Sequence, residues 1–223
     1  MLSRLVLSPV LLALCAMPAS AQNDVRHAER MRYQSCIAMS GDDPAEALEE
    51  AQIWRIEGGG WPAEVCEAHA YIALGDFDVA AGILEELASE RRAGMVDAER
   101  VDFLTLAGET RARNGNADAA FDNYAAALAL DPFSILTLSG RGRLYLAEEN
   151  WGGLARDAQS LVDLVPESAE GWYLRAAFHL NTGNLDAATS DIEAARERAP
   201  ERIEILVLRG QINEARRLAA SGG

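Results

Sequence analysis

Large and small apolar positions recur along this chain at one fixed step. Trp172 matches Leu138 and Leu104, Ala176 matches Gly142 and Gly108, Ala188 matches Leu154 and Ala120, and Ala195 matches Leu161 and Ala127, each 34 residues apart. The polar punctuation keeps the same register: Pro200, Pro166 and Pro132 are spaced by 34, as are Asn184, Asn150 and Asn116. Self-similarity at such a period marks stacked supersecondary units, each too small to bury its own apolar face. Within a unit the apolar residues return every three to four positions, which predicts two amphipathic helices per step. Asparagine at the turn supplies a cap for the second helix, and a closing proline stops it. In the middle copy Glu149 stands where Gly115 and Gly183 stand elsewhere. The expectation there is that Asn150 takes the left-handed conformation instead.

The stretch 171–200, GWYLRAAFHLNTGNLDAATSDIEAARERAP, places a large apolar residue (Trp172), a small one a turn later (Ala176), His179 at the aromatic position, a turn glycine (Gly183), Ala188 in the second helix and Pro200 at its close. This pattern resembles the tetratricopeptide repeat, in a form typical of exported bacterial proteins, over residues 101–202. The resemblance implies an all-α fold, a right-handed α-solenoid of antiparallel helix pairs with a C-terminal capping helix. Small residues at 108, 142 and 176 allow the helices to approach closely and leave room for Tyr124 and Ile192. Repeats are expected at 101–134, 135–168 and 169–202, with a further one at 61–100 that carries six extra residues around 89–100, read as lengthening its second helix and loop. A degenerate repeat is expected at about 25–60, and a capping helix at 203–220, where Leu206 and Gly210 follow Trp172 and Ala176 by 34. Residues 22–223 then form a single solenoid domain.

Composition agrees with helix. Aromatic residues are 6% of the 223 positions and hydrophobic residues 49%, with alanine and leucine abundant. The formal net charge is −15, and all 20 basic residues are arginine. An acidic chain repels phosphate backbones, which disfavours nucleic acid as a partner, and the lack of lysine excludes Schiff-base chemistry.

The N-terminus has the form of a signal peptide at 1–21. Arg4 provides the positive region, Leu5–Met17 is a 13-residue apolar run, and Ala19-Ser20-Ala21 has the small-x-small form of a cleavage site. The run is shorter than the roughly 20 residues that span a bilayer, so no membrane insertion is expected after cleavage. Location in the periplasm of a Gram-negative bacterium, or secretion, follows. A lipoprotein reading through Cys15 is opposed by Leu14, where a small residue belongs. Removal of the segment leaves Cys36 and Cys66, an even count compatible with a disulfide in an oxidising compartment. Two buried, unpaired thiols are the competing reading.

No phosphate loop, paired-histidine zinc helix, nucleophile elbow or redox-spaced cysteine pair occurs. The expectation is therefore a non-catalytic protein without cofactor. The resemblance implies that first helices line a concave groove that binds a peptide or helix. On this numbering the groove positions include His69, Thr105, Glu109, Arg113, Ser139, Arg143, Tyr173, Ala177 and Asn181. Arg113, Arg143 and Tyr173 are the expected anchors, the arginines alternatively neutralising Glu109 and Glu148. The partner class is another protein, of the cell envelope, in a role as scaffold or assembly factor. The alternative is a thiol- or metal-dependent accessory protein using Cys36, Cys66 and His69. Intact-mass measurement of the exported protein is expected to show a chain beginning at Gln22; an acylated terminus at Cys15 would replace that reading with a lipoprotein.

Overall fold

Residues 19–90, 92 and 95–221 are described by the computed structural model; the expected signal segment lies almost wholly outside them, and Gln22 falls in the first turn of the first helix. Eleven helices run in order: α1 (Ala19–Asp42), α2 (Pro44–Ile56), α3 (Gly60–Leu74), α4 (Phe77–Ser89), α5 (Asp97–Arg113), α6 (Ala117–Leu130), α7 (Ile135–Ala147), α8 (Trp151–Leu164), α9 (Ala169–Asn181), α10 (Leu185–Arg198) and α11 (Ile203–Ser221). There is no strand among the described residues. Each helix packs on its sequence neighbour, forming an all-α solenoid of helix pairs closed by α11. The first helices also touch one another, α1 with α3, α5 with α7 and α7 with α9, whereas α4, α6, α8 and α10 have no comparable mutual contact. The first helices are therefore the inner, concave layer.

The punctuation read from the sequence appears in the geometry. Asn116, Asn150 and Asn184 accept hydrogen bonds from the backbone N–H groups of Ala119, Gly153 and Ala187, capping α6, α8 and α10. Asp43 caps α2 in the same way, ahead of Pro44 at its first turn. The left-handed turn residue differs from expectation. Glu149 itself adopts φ 53°, while Asn150 holds φ −86°. A capping side chain needs its own backbone in a non-helical, negative-φ conformation to reach the N–H three residues on, so the strained conformation falls to the residue before it. A second difference concerns the six extra residues. α4 has 13 residues, no longer than its counterparts, whereas α5 has 17 against 13 in α7 and α9. The insertion enters the connection before α5 and the first turn of α5, where the Glu99 carboxylate accepts from the Val96 backbone N–H.

The core is a chain of small clusters between successive helices. Leu138, Leu154, Leu161 and Leu174 form one, and Ala176, Ile192, Ile205 and Ile212 form the next, which is the surface that α11 covers. Small residues set the spacing: a Cβ added at Gly108 would stand 2.7 Å from the Tyr124 ring, and one at Gly142 would stand 2.9 Å from Leu174. At the other end Cys36 of α1 and Cys66 of α3 are joined by a disulfide with Cα atoms 6.0 Å apart. Closing a loop of 30 residues stabilises the fold by about 3.5 kcal/mol on the chain-entropy account, in the least regular part of the solenoid.

Ion pairs inside the repeat complete the packing. Arg141 of α7 grips Asp157 of α8 with two hydrogen bonds of 2.8 Å, and Arg175 of α9 grips Asp191 of α10 identically. Both carboxylates are buried, and each arginine lies 34 residues from its equivalent. Truncating one partner of such a pair leaves the other charge uncompensated. Asp157→Ala is expected to lower stability by about 3 kcal/mol in urea titration, while Asp186→Ala, which removes an exposed pairing with Arg216, leaves the midpoint unchanged.

Candidate functional site: the concave face

Among the described residues, two depressions on the inner layer hold positions expected from the sequence. The larger, about 640 Å³, sits between α5 and α7 and brings together Glu109, Arg113, Ser139 and Arg143. Its floor is Gly140 backed by Tyr124, and Leu136 and Leu144 form apolar walls. The second, about 300 Å³, lies between α9 and α11 and contains Tyr173, Ala177 and Asn181, with Ile203 and Val207 contributed by the capping helix. Seven of the nine sequence-derived positions thus divide between the two depressions, His69 and Thr105 lining neither, and α11 is a wall of one of them.

Thr105 does not belong to the groove. It is 6% exposed, and its hydroxyl donates to the Val101 carbonyl while meeting the Thr137 hydroxyl at 2.6 Å. A short hydroxyl-bearing side chain at this point lets α5 and α7 touch, so it serves the helix contact rather than a ligand. His69 is half-buried on α3, where burial pushes its imidazole pKa down. Cys66 is committed to Cys36, so neither sulfur is available as a thiol or thiolate ligand. Among the described residues no group of three or more His, Cys, Asp or Glu is arranged to hold a metal ion.

The expected anchors are not equally free. Arg143 makes a bidentate pair with Glu170 at 2.7 and 3.0 Å. Arg202 approaches the same carboxylate at 2.7 Å and lies 5.0 Å over the Tyr173 ring. Glu170 was not among the sequence-derived partners, and it is the acid that fixes Arg143, in place of Glu109 or Glu148. Arg113 stacks 4.7 Å over Phe77 and has no carboxylate within ion-pair distance among the described residues. Asn181 donates its side-chain amide to the Ala177 carbonyl.

No protein-family model matches the chain. The heat shock protein sti1 homolog of Schizosaccharomyces pombe is 29% identical over 103 residues, which are 46% of this chain and 17% of that protein's length. Among solved structures, a tetratricopeptide repeat protein from Parabacteroides merdae superposes with a TM-score of 0.66 at 16% identity, over 86% of this chain and 76% of that one. YrrB, described as a TPR protein with an unusual peptide-binding site, gives 0.60 at 14% identity, over 87% of this chain and all of that one. The first TPR of Spaghetti (RPAP3), bound to the HSP90 peptide SRMEEVD, gives 0.51 at 22% identity, over 54% and 95%. The fold is that of tetratricopeptide proteins.

In this tetratricopeptide solenoid the concave face combines exposure with poor hydration. Glu109 is exposed as a residue, yet the surrounding walls withdraw water from its carboxyl and hold its pKa above the ordinary value, against the pull of Arg143 and Arg113. Burial likewise raises the Tyr173 and Tyr124 hydroxyls, so both remain protonated donors at neutral pH. Such a surface offers hydrogen bonds and arginine forks beside apolar walls. The pKa shift of Glu109 has a stability signature. A carboxyl with a folded-state value above its unfolded one binds more protons when folded, so it costs stability once pH exceeds the folded value and costs nothing below the unfolded value. Glu109→Gln is expected to raise Tm at pH 7, with the gain vanishing below pH about 4. A loss at pH 7 would mean that the two arginines outweigh desolvation.

Proposed function

We propose that this chain is a non-catalytic interaction scaffold that grips a segment of another protein along the concave face, with Arg113, Arg143 and Tyr173 as anchors. One observation carries the reading: two depressions occur in line on the inner layer, lined by Glu109, Arg113 and Ser139 and by Tyr173 and Asn181, side chains that most repeat contacts do not require. Solenoids recognise partners on such extended faces, and tyrosine and arginine are the types most enriched at interface hot spots. The peptide-bound structure of RPAP3 and the peptide-binding site of YrrB support this use of the fold without naming a ligand for this chain. The proposal includes export, with the partner in the cell envelope of a Gram-negative bacterium. Arg4, the apolar run Leu5–Met17 and Ala19-Ser20-Ala21 support it, as does the disulfide, which persists in an oxidising compartment.

A photo-crosslinking residue placed at Ser139 or at Gln211, in the cells that naturally carry the protein, is expected to capture one common partner. The same residue at Asp122, exposed on the outer helix α6, should not capture it. Arg143→Ala with Tyr173→Ala should reduce capture at least about tenfold, the scale of one lost hot spot. Equal capture from Asp122, or undiminished capture by the folded double variant, overturns the groove assignment.

A further inference from the structure

An internal repeat supplies its own reference: a residue present at the same step in every unit serves the stack, and a departure confined to one unit has some other cause. Three departures coincide at the head of α7. The position of Gly140 holds leucine elsewhere, at Leu106, Leu174 and Leu208. The position of Leu136 is otherwise acidic, at Asp102, Glu170 and Glu204, and so is that of Phe133, at Glu99, Glu167 and Glu201. Phe133 and Leu136 are 68% and 66% exposed, so neither is buying core burial. Leu136 and Gly140 line the larger depression, and Phe133 lies one turn before them.

Tyr124 of α6 is the counterpart of these changes. Ala158 and Ile192 hold its position in the next two units, opposite Leu174 and Leu208. Where the inner helix loses its leucine, the outer helix gains a tyrosine. Tyr124 is 1% exposed, and its hydroxyl reaches to 2.9 Å from the place a Gly140 Cβ would occupy. That hydroxyl makes no hydrogen bond among the described residues, and Tyr124 forms part of the depression's floor. No fully buried side-chain polar atom among the described residues lacks a partner, so this hydroxyl opens onto the depression, where a ligand group can meet it.

The surroundings give the occupant its charge. Next to the depression, Asp97, Asp102 and Asp131 line a smaller hollow with Leu130 and Ser134. Arg100 pairs with Asp97, but no arginine lies within ion-pair distance of Asp102 or Asp131 among the described residues. Burial first, and the nearby Glu99 carboxylate second, push the Asp102 pKa up. Arg113 and Arg143 line the depression toward the C-terminal ends of α5 and α7, whereas a basic group at the helix heads meets Asp102 and Asp131, and the chain as a whole, at −15, attracts it.

We propose that the departures at Phe133, Leu136 and Gly140 form a specificity subsite for a segment of another protein carrying one large apolar side chain beside an arginine or lysine. The apolar side chain enters the depression over Gly140 and the Tyr124 ring, against Leu136 and Phe133. The Tyr124 and Ser139 hydroxyls bond the peptide group of that residue, and the basic side chain lies against Asp102 and Asp131. This deepens the groove reading above and rests on it.

The test is selection from a random dodecapeptide library displayed on phage, followed by affinity measurement with the selected synthetic peptides. The full folded chain is expected to select peptides with a large apolar residue within three positions of an arginine or lysine. Tyr124→Ala with Gly140→Leu transplants the Ala158–Leu174 pair of the following unit and closes the depression. It is expected to weaken the selected peptides at least about tenfold, the worth of one well-packed anchor. Leu136→Glu with Phe133→Glu, both surface changes that restore the repeat's acids, should do the same without loss of helicity. Asp102→Asn should relax the basic preference alone. Peptides that bind both double variants as well as wild type overturn the subsite while leaving the groove reading standing. Selection of no peptide at all overturns both. Selection of acidic peptides, or a dimer in solution that Leu136→Glu dissolves, assigns the depression another occupant and overturns the proposal.

Discussion

Close approach at a few side-chain-poor positions is the constraint on which this solenoid depends. A helix pair of about 30 residues cannot bury its own apolar faces, so every unit must press on the next. That contact is possible because Gly142 carries no Cβ to meet Leu174 at 2.9 Å, and because Gly108 yields its space to the Tyr124 ring. Gly171 is tighter still, with backbone of α8 standing 2.7 Å from where its Cβ would be. With the helices held at this separation, leucine and isoleucine fill the gaps at interior density, and the first helices line up to form the concave layer. The last apolar face, over Ala176 and Ile192, needs a cover, and α11 provides it through Ile205, Leu208 and Ile212.

At that spacing a charged pair can be accommodated inside the repeat only if it is compact and fully bonded. Arginine meets the requirement and lysine does not, because its planar fork satisfies both oxygens of a carboxylate at once. The Arg141–Asp157 and Arg175–Asp191 pairs use that geometry in the interior. Arg111 and Glu85 use it between α5 and α4, with Asn123 donating to the same carboxylate. In the unit where Asn123 replaces the aspartate and Ala107 the arginine, the bonding passes to this neighbouring pair. The absence of lysine from the chain thus has a structural counterpart in how its carboxylates are held.

The period, the helix caps and the closing prolines were legible in the sequence because they are local: a side chain bonding a backbone group three residues away depends on little else. Longer-range features were less so. Glu149 reads as a poor left-handed residue by its type, and only the capping duty of Asn150 shows why it takes that conformation. Thr105 stands in register with Ser139 and Tyr173, which line the groove, and is removed from it by Thr137, an across-helix neighbour that a period cannot place. The recurrence of Arg141 and Arg175, and of Asp157 and Asp191, was visible at the same step of 34 as the prolines. Its meaning required knowing that the two members face each other. Glu170 as the partner of Arg143 belongs to the same class.

Departures from a repeat also carry a different weight from substitutions in a compact domain. Stability in a solenoid is a sum over units and their interfaces, so a cost incurred in one unit, such as the two exposed apolar side chains Phe133 and Leu136, does not spread through a shared core. One unit can therefore be given over to recognition while its neighbours keep the stack together. The first helix that bears Leu136 and Gly140 still carries Arg141, paired with Asp157 of α8, next to Gly142, which Leu174 approaches. The two faces of α7 thus differ: Leu138, Arg141 and Gly142 turn toward the neighbouring helices, while Leu136, Ser139 and Arg143 line the depression.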